Sequence, residues 1–498
     1  MRWSQLAAAI GLPSVPGTVG DAEVTGITYD SRRVQPGAVF VAIPGQHHDG
    51  HEFVQSALAQ GAVVAVVEQG LPAADSGRLV AVESTRSILA LLAATFYGHP
   101  SRLVPVVGIT GTDGKTTTTT MLHAALSAAM GTVGSLSTVD FRLGSEIEAN
   151  LSRQTTLESL ELQAWIRRMV DQGCRAIVLE STSHGLALGR LDEIRFAGAV
   201  YTSITHEHLD FHGSWEAYFE AKASLLDRTT SAGGFAVLNR DDSRAFPPLL
   251  ARTSGRALTY SAKGDREADV RADRIVPEAT GITFTAVTPA GTADVRLATA
   301  GRWNIGNALA ALAAGLLLDQ PLSTLAAGLA ELRAVPGRME VVDLGQPFAV
   351  VVDYAHTPAA LTLALHELRG TTAGRLWVVF GSAGERDIAK RAEMGRIAAQ
   401  LADQVVLTSE DPRGEDPEAI IDEIWTGAVG GGADPDANLH RDAERDRAVR
   451  LAIGAALPGD TVLLAGKGHE HSILGSSGAI PWDERLAAET ALRDLRGM

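Results

Sequence analysis

The segment Gly111-Thr112-Asp113-Gly114-Lys115-Thr116 carries the residue types needed to hold a triphosphate. Glycines let backbone N–H groups curl around phosphate oxygens. A following helix N-terminus adds partial positive charge. Lys115 can reach the β/γ-phosphates and the Thr116 hydroxyl can ligate Mg²⁺. The spacing departs from the common G-x-x-x-x-G-K-[ST] loop, because Ile109 stands where its first glycine belongs. Taken alone, such a stretch reads as an ordinary Gly-rich turn. The apolar run before it, the helical pattern after it and the threonines Thr116 to Thr120 argue for phosphate binding.

Other chemistry-bearing residues follow apolar runs. Glu180, in Leu179-Glu180-Ser181-Thr182-Ser183-His184, stands near the end of a strand. Open α/β sheets bind ligands at that edge, and a carboxylate beside a triphosphate suits Mg²⁺. The cluster His206-Glu207-His208-Leu209-Asp210-Phe211-His212 suggests a metal or a surface loop of unrelated histidines. It lacks the H-E-x-x-H spacing of a zinc helix. Lys222, in the amphipathic Tyr218–Leu225 stretch, reads by itself as a solvent-facing helix lysine. Asn304 of Asn304-Ile305-Gly306-Asn307 reads as a helix N-cap. Asp353-Tyr354-Ala355-His356-Thr357-Pro358 reads as a capped strand-to-helix turn, with Pro358 in the first helical turn.

These residues need elements to carry them. Val104–Thr110, then a loop, then a helical pattern over Thr116–Ala129 form one βα unit, and the runs 176–179, 199–201 and 235–238 continue it. Such alternation predicts a doubly wound α/β sheet. Short strand-like runs and helices before it (residues 1–98) predict a small α/β domain. After the Pro336-Gly337 break, strands near 348–352, 376–380, 405–407 and 462–464 predict a Rossmann-like unit (residues 335–498), leaving 99–334 as the central domain. Gly430–Ala433, with Asp434-Pro435-Asp436, is expected to be an exposed loop. A chain of 498 residues has room for three domains.

Composition removes several functions. Net charge is −16, against the basic face that nucleic acid or an anionic membrane needs. Cys174 is the only cysteine, so an intramolecular disulfide and a Cys-based zinc site are excluded. A reducing cytoplasm is the expected compartment. The first residues carry no secretory leader pattern. The most apolar stretch, Ala308–Leu317, is too short to span a membrane and reads as a buried helix.

Thr110-Gly111-Thr112-Asp113-Gly114-Lys115-Thr116-Thr117 resembles the ATP loop of the Mur ligases, the amide-forming enzymes of peptidoglycan precursor synthesis, with Asp113 where members often carry Asn. The resemblance runs along nearly the whole chain and is closest to members that add the third peptide residue. It implies an N-terminal UDP-binding domain, a central P-loop-like ATPase domain and a C-terminal Rossmann-like domain. It assigns Gly111, Thr112, Asp113, Gly114, Lys115, Thr116, Thr117, Asn304, Asn307, Arg338, Asp353 and His356 to ATP. It makes Thr116, Glu180, His208 and Lys222 the surroundings of two Mg²⁺ ions, with Lys222 carbamylated by CO₂. Lys115, Lys222 and His208 are then the catalytic residues. Ser31, in Tyr29-Asp30-Ser31-Arg32, and the loop Gly45-Gln46-His47-His48-Asp49-Gly50 resemble UDP-binding loops. Thr155, Thr156, Ser183 and Arg190 would hold the UDP-sugar dipeptide, with Leu157 replacing the usual Pro.

Gly384-Glu385-Arg386-Asp387, Ser409-Glu410-Asp411-Pro412-Arg413 and Gly466-Lys467-Gly468-His469-Glu470 resemble segments that take the incoming amino acid. Arg386, Glu410, Asp411, Arg413, Gly466 and Glu470 are the residues implied. Asp411 replaces the Asn of diaminopimelate-adding relatives while Arg413 is kept, so meso-diaminopimelate and L-lysine or L-ornithine stay open. The implied reaction is ATP-dependent ligation of a diamino acid to UDP-MurNAc-L-Ala-D-Glu by a monomer, with domain closure excluding water. Another Mur-type, folylpolyglutamate or cyanophycin ligase, or an ATP-dependent switch that does not ligate, are the alternatives.

Overall fold

An apolar run without polar alternation belongs to a strand covered on both faces. Val106–Thr110 is such a strand, buried at all five residues. In this computed structural model it lies within a parallel series ordered Ala257–Ser261, Phe235–Asn239, Phe196–Tyr201, Val106–Thr110, Ile177–Glu180, Gly134–Leu136. A meander, Asp140–Leu143 and Glu146–Ala149, continues it in antiparallel fashion. The chain winds outward in both directions from Val106–Thr110, so that strand end is the topological switch point where α/β sheets bind ligands. Ile109 pairs with Glu180 and Thr110 with Tyr201. That register places the Gly111 loop, Glu180 and Thr202 at one edge.

Residues 1–13, 22–45, 48–68, 77–152, 154–205, 207–278, 281–299 and 301–495 are described; Gln46, His47 and His206 lie outside them. The chain divides into two units, Met1–Arg271 with Leu309–Leu325, and Ala272–Ala308 with Ala326–Met498. In the first unit, Leu162, Ile166 and Met169 recur at helical spacing on Ser159–Asp171 and pack against Ile177, Leu179 and Phe196. Cys174 is buried in the same cluster. An N-terminal parallel sheet, ordered Gly26–Thr28, Ala38–Val41, Val64–Glu68, Leu79–Val82, packs on the helix Thr85–Phe96 through Leu89, Leu92 and Ala93.

The second unit holds an antiparallel hairpin, Gly281–Thr288 with Gly291–Leu297, that carried no prediction. Its main sheet is ordered Glu340–Val341, Ala349–Asp353, Thr461–Ala465, Leu376–Phe380, Gln404–Leu407, Leu439–Arg441, parallel except for the first pair. Alternate residues of these strands feed two cores, Val350, Val352 and Leu464 on one face and Val351, Val378 and Leu463 on the other. The expected exposed loop holds at Gly432 and Asp434-Pro435-Asp436, with two corrections: the helix Pro417–Gly430 takes in Gly430, and Ala433 is buried, its N–H closing the helix end on Ala428 O at 3.0 Å. Among the described residues no helix is long and apolar enough to cross a membrane. Ala308 to Ala314 are fully buried within the helix Trp303–Leu317.

Candidate active site

The phosphate loop is shaped by close approach. A Cβ on Gly111 would lie 1.8 Å from Thr202 Oγ1, so only glycine fits. Gly114, at φ 82°, turns the chain into the helix Lys115–Met130, whose first N–H groups lack intrahelical acceptors. A strap behind the loop fixes it. Thr202 Oγ1 donates to Asp113 O at 2.5 Å, the Thr112 N–H donates to Ser203 O, and the Thr205 N–H donates to Thr112 Oγ1 at 2.9 Å. Tyr218 Oη shares a hydrogen bond with Thr112 Oγ1 at 2.9 Å. Lys115 Nζ folds back to donate to Thr112 O at 2.6 Å.

Glu180, 1% exposed, is the last residue of its strand. Thr116 Oγ1 stands 3.1 Å from both its carboxylate oxygens, and Thr138 donates through its N–H at 3.0 Å and its hydroxyl at 3.1 Å. Thr155 Oγ1 and Thr138 Oγ1 share a hydrogen bond at 2.9 Å, and Thr156 Oγ1 donates to Glu180 O at 2.9 Å. Arg190 joins them, donating to Thr156 O at 3.0 Å and pairing with Glu158 at 2.9 Å. Thus Thr116, Thr155, Thr156, Glu180 and Arg190 form one connected network. Ser183 is buried at the start of the next short helix. Ser31 lies apart from this bond network, half-buried on a turn.

Lys222 overturns the solvent-facing reading. Tyr218, Lys222 and Leu225 share the inward stripe of Trp215–Ser231, and Lys222 is 1% exposed. Its Nζ donates to Gly111 O at 2.6 Å and lies 4.6 Å from the Tyr218 ring centre. Burial, then the charge of Lys115, hold its pKa well below the usual lysine range, favouring the neutral amine. His208 sits at φ 54°, a left-handed conformation uncommon outside glycine. Its ring centre is 4.6 Å from that of His184, which lies 5.6 Å from His212. Burial, then the neighbouring His208 and His212, push His184 down to about 4. Burial also lowers His208, helped by Lys115 and Lys222. Among the described residues no three His, Cys, Asp or Glu side chains converge as a metal cluster.

In the second unit, Asn304 is not a cap. The helix opens one residue earlier, at Trp303, after the Asn304 N–H bonds Gly301 O, which leaves its side chain to accept from Asn307 Nδ2 at 3.0 Å. Asp353 accepts from the Met339 and Ala355 N–H groups at 2.7 and 2.8 Å. Arg338 lies over Tyr354, and its Nε has no partner. His356 Nδ1 donates to Tyr354 O at 2.7 Å, and Lys390 donates to His356 O at 2.8 Å.

The three amino-acid segments meet. The Gly384 N–H donates to Asp411 O at 2.9 Å, and a Cβ there would lie 2.1 Å from Pro412 O. Arg386 is exposed beside this contact. Asp411 accepts from Lys467 Nζ at 2.8 Å and from the Leu474 N–H at 2.9 Å, so its charge is already met. Lys467 also bonds Glu470 at 2.5 Å. Glu410 is buried with Oε2 unpartnered, close under Gly466. Burial raises its pKa to about 7 against the opposing charges of Lys390, Arg445 and Lys467. Arg413 Nε has no partner either. Thr138, Thr202, Tyr218 and Lys390 were not singled out. Their roles come from loops meeting in space, except that Tyr218 precedes Lys222 by one helical turn, a readable signal.

Residues 23–97 match the Mur ligase family catalytic domain, 109–315 the Mur ligase middle domain and 337–468 the Mur ligase glutamate ligase domain. The UDP-N-acetylmuramyl-tripeptide synthetase of Roseiflexus sp. is 45% identical over 489 residues, 95% of each chain. The UDP-N-acetylmuramoyl-L-alanyl-D-glutamate--2,6-diaminopimelate ligase of Solibacter usitatus is 40% identical over 500 residues, 99% of this chain and 98% of that one. A solved structure of a UDP-N-acetylmuramoyl-L-alanyl-D-glutamate--2,6-diaminopimelate ligase is similar at TM-score 0.70 and 28% identity, covering 100% of this chain and 99% of that one. With a phosphate loop at the switch point and this likeness along almost its whole length, the chain is an ATP-dependent ligase that belongs to the Mur ligase family.

Proposed function

We propose that this ligase adds a diamino acid to the D-Glu carboxylate of UDP-MurNAc-L-Ala-D-Glu in peptidoglycan precursor synthesis. The observation that carries this reading is the second-unit cluster, where Glu410 is buried with Oε2 unpartnered close under Gly466 and Lys467 bonds both Asp411 and Glu470. The unpartnered Glu410 oxygen suits an incoming amine, and Arg413, whose Nε also lacks a partner, suits a substrate carboxylate. In this scheme residues 1–98 anchor the UDP group, 99–334 hold ATP and 335–498 receive the amino acid. The enzyme would act as a cytoplasmic monomer.

A carboxylate is a poor electrophile, so it is phosphorylated first. The D-Glu oxygen bonds the γ-phosphorus, the bond to the β-phosphate oxygen breaks, and ADP leaves. The amine then attacks the acyl carbon, the C–N bond forms, and phosphate departs as the amine's proton passes to solvent or phosphate. Lys115 leaves Thr112 O to meet the charge on the transferred group. Thr155, Thr156 and Arg190 orient the dipeptide end. Asn304, Asn307, Arg338, Asp353 and His356 hold the nucleotide.

Thr116 and Glu180 are hard oxygen donors 3.1 Å apart, a donor set suited to Mg²⁺. With His208 and a Lys222 carbamate they would hold two such ions, which neutralise phosphate charge when bound. The neutral Lys222 amine is the form able to attack CO₂, giving a carbamate with release of one proton. A crystal structure with nucleotide and Mg²⁺ bound that shows Lys222 unmodified and turned to solvent would refute the carbamate.

The deciding assay combines purified protein, ATP, the UDP-sugar dipeptide and a panel of amino acids, read by product mass and phosphate release. The expected result is tripeptide formed only with a diamino acid. Phosphate release independent of dipeptide and amino acid would overturn the ligase substrate assignment.

A further inference from the structure

Tyr354 follows the strand Ala349–Asp353, beside the point where Gly466 leaves Thr461–Ala465. Three loops cross there at backbone contact. A Cβ on Gly337 would lie 2.2 Å from the His469 nitrogen, and one on Gly468 would lie 2.8 Å from Tyr354 Cβ. Both glycines have positive φ, 64° and 49°. The ring seated in this crossing is therefore held by backbone that has no room to shift.

Tyr354 touches functional groups on two sides. Its ring centre lies 4.5 Å from that of His356 and 5.0 Å from that of His469. The Arg338 guanidinium carbon sits 4.7 Å from the ring centre. The hydroxyl donates to Glu470 Oε1 at 3.3 Å, and Lys467 holds the other oxygen of that carboxylate at 2.5 Å. Burial, then the charge of Glu470, push the Tyr354 pKa up, so the hydroxyl stays a donor. His469 is pushed down to about 3, chiefly by burial and then by Arg338, so it flanks the ring as a neutral group. Arg338 has no ion pair within 4 Å among the described residues; Asp353 acts on it through charge, and the ring face is the side-chain contact that braces its fork. Glu470 is fixed at both oxygens, one of them by this hydroxyl.

We propose that Tyr354 is a positioning residue for two substrates at once. Its ring face aims Arg338 at the nucleotide phosphates, and its hydroxyl aims Glu470 at the amine of the incoming amino acid. The inference rests on the roles given to Arg338 and Glu470 above. The two functions separate chemically. Phenylalanine keeps the face and loses the hydroxyl; leucine loses both.

The test is steady-state kinetics of wild type, Tyr354→Phe and Tyr354→Leu, varying ATP and amino acid separately at saturating UDP-sugar dipeptide. The amino acid is whichever of meso-diaminopimelate, L-lysine and L-ornithine the wild type uses best. Tyr354→Phe should raise the amino-acid KM about 3- to 10-fold and leave the ATP KM within about twofold. Tyr354→Leu should raise both, the ATP KM by about 10-fold. A merely structural role would lower kcat or Tm without this split. An unchanged amino-acid KM in Tyr354→Phe, equal rises in both KM values for that variant, or an unchanged ATP KM in Tyr354→Leu overturns the proposal. If Tyr354→Leu fails to fold, Tyr354→Phe decides the hydroxyl half and Tyr354→Met, which has no ring face, decides the other by the same ATP KM. If wild type makes no tripeptide with any of the three amino acids, the proposed function has failed. ADP affinity of wild type and Tyr354→Leu, measured by calorimetry, then decides the nucleotide half, and equal affinities overturn it.

Discussion

Lys115 is stored on its own loop, its ammonium bonded to Thr112 O. Replacing it removes a charge and little packing. Lys115→Ala should abolish tripeptide formation while the melting temperature stays within about 2 °C of wild type, checked by product mass and circular dichroism. Turnover near wild type would count against the ligase mechanism. Glu410 makes a prediction about pH. Its carboxyl titrates at about 7 in the fold against 4.5 for the ordinary group. Between those values the folded state keeps a proton that the unfolded chain has lost, so stability falls as pH rises through the window. Lys390, Arg445, Lys467 and Glu470 are the charges around it. Glu410→Gln should therefore gain stability relative to wild type by about 2–3 kcal/mol on going from pH 4.5 to pH 8, read from urea midpoints. Asp411 is paired with Lys467. Asp411→Asn would leave Lys467 with Glu470 alone and remove a negative charge two residues from Arg413. The kcat/KM for meso-diaminopimelate should then rise relative to L-lysine and L-ornithine, by about 5- to 150-fold (about 1–3 kcal/mol). An unchanged ratio, or one moving the other way, removes Asp411 from selectivity.

Several parallel strands were readable in the sequence because both their faces are buried, whereas Gly134–Leu136 and Ala257–Ser261, also parallel, carried no prediction. Leu376–Phe380 is apolar throughout, and its predicted and observed ends coincide. The meander strand Glu146–Ala149 is exposed at every residue and sends no such signal. In Gly281–Thr288, Thr283 and Thr285 flank Phe284, a weak alternation that passes for loop. The burial of Lys222 was half-legible. Its spacing from Tyr218 and Leu225 puts it on the apolar stripe, but what lies behind that stripe is set by the distant Gly111 loop. Asn304 shows the reverse limit, since one residue of helix start separates a cap from an inward-facing amide. Two helices of the second unit carry a prediction of their own. Ala389–Leu401 and Pro417–Gly430 meet where a Cβ on Gly395 would lie 2.1 Å from Ile424 O and one on Gly427 1.9 Å from Ala392 O. Backbone cannot yield there as a flexible side chain would. Gly427→Ala should destabilise the protein by about 3 kcal/mol in urea unfolding. A loss under about 0.5 kcal/mol would mean the helices can separate cheaply.

At the scale of the molecule, the net charge of −16 coexists with a site that must accept two more anions, the nucleotide and the UDP-sugar. In the proposed mechanism Lys115 and Arg338 would meet that charge where the overall field opposes it. The chain also contains a single sulfhydryl, Cys174, 4% exposed in the core of the first unit. Burial pushes its pKa up to about 11. Such a group stays unreactive toward maleimides until the core around it opens, so alkylation becomes a clock for that opening. Labelling should run about a thousandfold or more below the rate for a free thiol, given ordinary domain stabilities. Nucleotide bound to the phosphate loop should slow the clock further, by about 100-fold at a hundred times its Kd, when opening releases the ligand. Lys115→Ala should lose that extra protection. A cysteine introduced on the surface would then be the one that reacts, giving a single attachment point for a fluorophore without first removing the native residue.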